Sequence, residues 1–218
     1  MPPRALTPNG IILVDKPAGP SSFAIVSSVR GRTGARTGHA GTLDPFATGL
    51  LLLLSGAATR LQQRFVGLDK RYVTELDLTA RTSTGDPEGD AVEEHEPPEP
   101  GELDERLEAM RGVVELPIPA ASAVKIGGER AYRLHRRGVA VDMPTRRMTV
   151  HELRLEGYTD GVARLDLLVS SGTYVRAIAE ALGGHCRTLR RTEIGPFAVD
   201  EADPEWIIPP DEALERLG

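Results

Sequence analysis

The chain has 218 residues, 40% of them hydrophobic and 27% charged, with one cysteine. That length supports one domain with a substantial core; the single cysteine excludes a disulfide framework, and glycine without a three-residue period excludes a collagen-like chain. The formal charge of −6 is unevenly spread: residues 86–108 carry a net −10 and residues 200–218 a net −6, leaving +10 elsewhere and keeping a polyanionic partner open.

Residues 11–15 read as a short strand, followed by a turn at Pro17, Gly19 and Pro20. Ser21 or Ser22 then caps a helix running to about Arg30. Glycines 31, 34, 38 and 41 mark a loop leading into Thr42, Leu43, Asp44 and Pro45. The leucine run 50–54 fits a buried strand or one turn of buried helix, and periodicity does not choose between them. Residues 57–66 read as helix, and 72–79 alternate like a half-buried strand. The acidic stretch from Asp86, rich in proline, is expected to be a surface loop, with a short exposed helix over 102–111. Residues 121–126, 148–155 and 162–169 are strand candidates, and 173–182 is a helix with Val175, Ile178, Ala179 and Leu182 on one face. Strands and helices mix without strict alternation, which predicts an α/β or α+β domain around a mixed sheet. The longest pure leucine run is far short of the roughly 20 residues that span a bilayer, and the N-terminus lacks the apolar core of a signal peptide. The expected location is the cytoplasm, with no membrane partner.

No phosphate-binding P-loop, dinucleotide fingerprint or nucleophile elbow is present, and the five histidines with Cys186 show no zinc spacing, so neither a metal nor a cofactor is expected. Cys186 next to His185 reads as an inert, partly buried thiol. The most unusual segment is GHAGTLDPFATG (38–49), which joins a glycine-rich loop, His39, and Asp44 fixed before proline. Asp44 fits two roles: satisfying local backbone N–H groups in a turn, or acting as a carboxylate nucleophile. As a nucleophile it must be ionised, which calls for a nearby cation.

GHAGTLDP (38–45) closely resembles the catalytic motif of tRNA pseudouridine-55 synthases of the TruB type. Four other stretches agree in order and spacing: LVDKPAGPSS (13–22), DKRY (69–72), SAVK (122–125) with YRLHRRG (132–138), and SGTYVR (171–176) followed by LRR (189–191). The likeness runs from about Gly10 to Val199. It implies a pseudouridine synthase catalytic fold over 1–199, with a mixed, largely antiparallel sheet flanked by helices. The acidic surface segment is 86–108, a basic RNA-clasping insertion covers about 121–147, and 200–218 is an acidic tail without a separate C-terminal domain. The resemblance implies Asp44 as nucleophile, Tyr72 stacking on the target uracil and assisting proton removal from its C5, and Arg176 pairing with Asp44. Tyr174 and Leu189 would line the pocket, and His39 would fill the space left by the extruded base. Lys16 and Lys125 match motif positions, and Tyr132, Arg136 and Arg137 belong to the insertion.

The implied activity is isomerisation of the T-loop uridine at position 55 of tRNA, cofactor-free and after base flipping. The T-arm stem-loop is the expected partner and a monomer the expected state. A non-catalytic tRNA-binding or RNA-folding protein and an RNA N-glycosidase are the alternatives. Taken singly, Tyr72 also reads as core packing, Arg176 as a solvated helix charge, and the insertion's seven bases against two acids as a solvated face.

Overall fold

The computed structural model describes residues 8–218. In chain order the strands are β1 (Gly10–Lys16), β2 (Thr37–His39), β3 (Thr48–Ser55), β4 (Lys70–Asp77), β5 (Ala80–Thr82), β6 (Ala91–Glu94), β7 (Gly112–Pro117), β8 (Lys125–Ile126), β9 (Glu129–Arg130), β10 (Thr145–Thr159), β11 (Val162–Val169), β12 (His185–Ile194) and β13 (Phe197–Ala198). The helices are α1 (Ser22–Thr33), α2 (Gln62–Val66), α3 (Pro100–Ala109), α4 (Ala131–Arg136), α5 (Val175–Ala181) and α6 (Pro210–Glu215). The described residues form two compact units, one of residues 8–72 with 189–218 and one of residues 73–188; β4 and β12 carry the chain from one to the other.

In the first unit the leucine run is the middle of β3, and all five leucines are fully buried. β3 pairs antiparallel with β1, setting Ile12 opposite Leu53 and Val14 opposite Leu51, and antiparallel with β2. A strand covered on both faces has no polar positions, which is why alternation was missing from the sequence. On one face Leu50, Leu52 and Leu54 pack with Ile11, Leu13, Phe65 and Phe197; on the other Leu51 and Leu53 pack with Val26 and Val29 of α1. Each fully buried leucine contributes about 1.5–3 kcal/mol of apolar transfer. Ser21 caps α1 by accepting the Ala24 N–H, and the helix runs past Arg30 to Thr33, where Gly34 closes it in the left-handed conformation.

β12 pairs with β3 in parallel, Arg190 opposite Thr48 and Arg191 opposite Gly49, which makes the sheet mixed. Gly49 has φ +100, and a Cβ there would land on the Arg191 carbonyl oxygen, so only glycine fits. Residues 57–66 are a 3₁₀ turn (Gly56–Leu61) leading into α2, rather than one helix. In the acid-rich segment 200–218, Ile208 bridges Ile11 through two backbone hydrogen bonds, and Ala213 of α6 is fully buried. Its carboxylates face water, Ile208 and Ala213 enter the core, and Trp206 stays exposed.

In the second unit the long β10 pairs antiparallel with β11 on one edge and β7 on the other, with irregularities after Val150 and Leu155. The register sets Val150 opposite Val169 and Leu153 opposite Leu167, all buried. α3 buries Leu103 and Leu107, and Arg106 from α3 donates to the Leu182 carbonyl just after α5. The acidic segment is not wholly a surface loop: β6 pairs with β5, and Asp86 is buried. Of residues 121–126 only Lys125 and Ile126 are extended, in a two-residue hairpin with β9. Among the described residues no helix is long and apolar enough to cross a membrane.

Candidate active site

Asp44 lies half-buried in the loop 40–47 between β2 and β3. Main-chain carbonyls of this loop and its flanks are held by two cations that reach solvent almost nowhere: Lys16 is 0% and Arg191 1% exposed. The Lys16 ammonium donates to the carbonyls of Pro17 (2.9 Å), Pro45 (3.1 Å) and Ala47 (2.6 Å). The Arg191 guanidinium donates to Leu50 (2.7 Å), Gly41 (3.2 Å) and, at 3.5 Å, Thr42. Ser22 Oγ donates to the Leu43 carbonyl and accepts the Leu43 N–H, both at 2.8 Å. Carbonyls on both sides of Asp44 are thereby held from β1, α1 and β12.

Lys70, the first residue of β4, is also buried and donates to the carbonyls of Val66 (2.6 Å) and Leu68. A Cβ at Gly41 would lie 3.6 Å from the Arg191 guanidinium and 3.8 Å from Lys70 Cε, so both side chains pass beneath the loop. Burial, reinforced by the Arg191 charge and opposed by Asp69, pulls the Lys70 pKa down to about 8. His39, entering the loop, is likewise held below the usual histidine range, by burial first and then by Arg191, against a weaker pull from the Gly41 backbone. Its imidazole is therefore neutral at pH 7, with Nδ1 buried and, among the described residues, lacking a hydrogen-bond partner. Tyr72 is buried on the same face of β4 as Lys70, and Leu189 on the same face of β12 as Arg191. The first unit thus contains Lys16, His39, Asp44, Tyr72 and Leu189 from the sequence expectation.

Tyr174, Arg176, Lys125, Tyr132, Arg136 and Arg137 belong to the second unit. Arg176 of α5 is 3% exposed, not a solvated helix charge. It donates to the carbonyls of Thr84 (2.6 Å) and Ala121 (3.0 Å) and lies 3.5 Å from Asp86. Asp86 in turn accepts from Thr84 Oγ1 and the Glu88 N–H. Glu180, one turn along α5, is pushed above the ordinary carboxyl range by burial, with Arg176 and Arg81 opposing. The Arg146 guanidinium lies 5.7 Å over the Tyr174 ring. In the insertion, Arg133 and Arg136 flank the Tyr132 ring, Arg137 makes a two-pronged pair with Glu129 at 2.6 and 2.9 Å, and Lys125 is exposed. Ser122 Oγ is buried and has no hydrogen-bond partner among the described residues. Among the described residues no group of three potential metal ligands comes together.

Sequence reasoning missed Arg191, Ser22, Lys70 and Asp86 as functional-site residues. Arg191 and Lys70 stood inside quoted motifs, and a strand reading of 185–194 would have placed Arg191 on the face of Leu189. Asp86 was hidden by the run of surface carboxylates it opens.

The sequence matches the family described as "TruB family pseudouridylate synthase (N terminal domain)" over residues 30–175. The chain belongs to that family. TruB-family pseudouridylate synthases are isomerases. Lys16, Arg176 and Leu189 lie outside the stretch matched. Curated relatives named tRNA pseudouridine synthase B include those of Mycobacterium sp. (strain KMS), 41% identical over 90% of this chain and 70% of the relative, and Bordetella avium (strain 197N), 37% identical over 89% of this chain and 84% of the relative. Among solved structures, a Cbf5-Nop10-Gar1 complex gives a TM-score of 0.67 at 27% identity, covering 89% of this chain and 51% of that one. This TruB-family chain thus spans about half the length of that neighbour. A structure titled pseudouridylate synthase, 18% identical, shares the fold with a TM-score of 0.52 over 98% of this chain and 76% of its own.

Proposed function

We propose that this chain isomerises a uridine of tRNA, the T-loop uridine at position 55, to pseudouridine, with Asp44 as the essential nucleophile. The observation that carries the reading is the Asp44 loop, whose backbone is clamped by Lys16, Arg191 and Ser22 so that one carboxylate is presented in one place. The names of the relatives support tRNA as the substrate. In the reaction the N1–C1′ bond breaks, C5–C1′ forms, the C5 proton leaves and N1 regains one; composition is unchanged and no redox partner is required. Asp44 acts either by attack at C1′ or by starting an elimination, and both routes need the carboxylate ionised and held still. The target base is flipped out of its loop at a cost of a few kcal/mol. Tyr72 stacks on it, worth about 1–3 kcal/mol, and assists proton removal from C5.

Leu189 lines the pocket, and the neutral His39 fills the place the base vacates without adding a charge. We assign Tyr174 and Arg176 to the uridine, and Lys125, Tyr132, Arg136 and Arg137 to the RNA backbone, with the T-arm stem-loop as minimal substrate and a cytoplasmic monomer as the working form.

The test is incubation with an unmodified tRNA transcript, followed by mass measurement and pseudouridine-specific derivatisation. Unchanged mass with a new derivatised site at position 55 is expected, and Asp44→Asn should abolish it while RNA binding persists. Loss of mass would identify a glycosidase, and binding without derivatisation a non-catalytic RNA-binding protein. Product from Asp44→Asn at near wild-type rates would remove Asp44 from the mechanism.

A further inference from the structure

From Lys16 to Leu68 the sequence holds one carboxylate, Asp44, against Lys16, Arg30, Arg32, Arg36, Arg60 and Arg64. Folding concentrates part of this charge along β2. Arg36 precedes β2, and its carbonyl accepts the Gly56 N–H, which fixes the start of the 3₁₀ turn Gly56–Leu61 beside the start of β2. At the far end of that turn Gln62 donates to the His39 carbonyl at the end of β2. The turn and the first residues of α2 therefore run alongside β2, with Arg36 at one end, Arg60 between and Arg64 just past the other. The next residues of the chain after His39 are the loop that holds Asp44.

What separates these arginines from an ordinary solvated face is the lack of partners. Four other exposed or partly exposed arginines of the first unit sit against carboxylates: Arg32 on Glu205, Arg71 on Glu193, Arg190 on Asp15, Arg216 on Glu201 and Glu212; Arg30, near the end of α1, is exposed and among the described residues has no ion-pair partner. Arg36, Arg60 and Arg64 are exposed, and among the described residues none of them has an ion-pair partner. Three uncompensated arginines along one stretch of backbone favour an anion with several charges in a row. A guanidinium matches phosphate oxygens in pairs.

We infer that Arg36, Arg60 and Arg64 form a rail for the sugar–phosphate backbone of the substrate RNA, leading toward the Asp44 loop. The inference rests on the RNA reading above and adds a second grip to the insertion at 121–147. Phosphate contacts position without reading sequence, so the rail sets where the RNA lies and not which base is chosen.

The experiment measures the Kd of a labelled T-arm stem-loop across a series of potassium chloride concentrations. Arg60→Gln with Arg64→Gln should weaken binding about tenfold or more at low salt. It should also flatten the log K against log salt slope by about 1.4–1.8 units, at 0.7–0.9 for each phosphate no longer neutralised. Arg36→Gln should take a further step in the same direction. Arg111→Gln, an exposed arginine paired with Glu108 in the second unit, is the control and should shift Kd less than twofold. Should the glutamine pair lower the melting temperature, Arg60→Lys with Arg64→Lys decides: recovery of the slope supports a charge-based rail, and binding as weak as with glutamine overturns it. A glutamine pair with wild-type Kd and slope also overturns it. Wild-type protein that binds RNA but forms no pseudouridine refutes the enzymatic reading and leaves the rail standing; wild-type protein that binds no RNA refutes the rail.

Discussion

The first unit buries Lys16, Lys70 and Arg191 beneath the Asp44 loop, whereas the insertion of the second unit exposes Lys125, Arg130, Arg136 and Arg137. The two sets share a charge sign and little else. The buried cations direct their donors to main-chain carbonyls at fixed distances. Arg137, Arg136 and Arg130 rest on Glu129, on the Tyr132 ring and on the Ala123 carbonyl. A buried cation that loses its acceptors faces a large desolvation cost, so it holds its geometry; an exposed pair is worth little and exchanges its partner readily. Position in the fold, rather than residue type, decides whether an arginine shapes the protein or takes hold of a ligand.

Removing a buried cation is the strongest way to break this contrast. Arg191→Met leaves three carbonyls without their donor and should cost about 3–5 kcal/mol in denaturant unfolding. Because the Arg191 charge depresses the His39 pKa, the same variant should move the His39 titration upward when followed by NMR. An unmoved His39 would separate the two residues. Ser22→Ala removes both hydrogen bonds to Leu43 and should cost about 1–3 kcal/mol, with turnover falling by up to about 100-fold if Asp44 shifts by an ångström. Retained turnover in this variant would show that Lys16 and Arg191 suffice to fix the loop.

Lys70 gives a pH signature. Its folded pKa of about 8 lies below the ordinary 10.5, so the unfolded chain binds more protons between these values. Stability relative to Lys70→Met should therefore rise with pH from about 8 to 10.5, by something on the order of 1–2 kcal/mol after solvent screening. A flat difference over that range would place the ammonium in contact with water. The smallest effect is expected at the surface: Arg137→Gln should leave the melting temperature unchanged and flatten the salt slope of RNA binding by at most about 0.7–0.9. A large drop in melting temperature would show that the Glu129 pair holds the insertion together.

The contrast also explains what was legible in the sequence. β1 was readable as a short apolar run, and parts of β4, β10 and β11 by apolar or aromatic side chains at strand spacing: Tyr72 and Leu76, Met148 and Val150, and Ala163, Leu165, Leu167 and Val169. In β12 the buried positions include Cys186, Leu189, Arg191 and Ile194, and the arginine breaks the apolar alternation that marks a strand. The leucine run in β3 was legible as buried but not as a strand, since covering both faces erases the period. At the candidate site Asp44 stood out through its glycine-rich, proline-flanked loop. Its supports did not, because Ser22 is separated from Leu43 by 21 positions and Arg191 from Leu50 by 141, and no local pattern records such distances. Asp86 was misread for a related reason: charge density along the chain says nothing of which carboxylate turns inward to meet Arg176.

The parallel pairing of β3 with β12 has a consequence for how the protein is made. The first unit is discontinuous, and its last segment leaves the ribosome only after the whole of residues 73–188. At 5–20 residues per second that interval is roughly 6–23 s. Throughout it β3 has no β12 beside Thr48 and Gly49, the Asp44 loop lacks Arg191, and Ile11 lacks its bridge to Ile208. A nascent chain with an unpaired strand edge beside its apolar core is prone to stick to its neighbours. Synthesis therefore passes through a stage in which β3 and the Asp44 loop still lack β12, and the loop takes its final form only as residues 189–218 arrive.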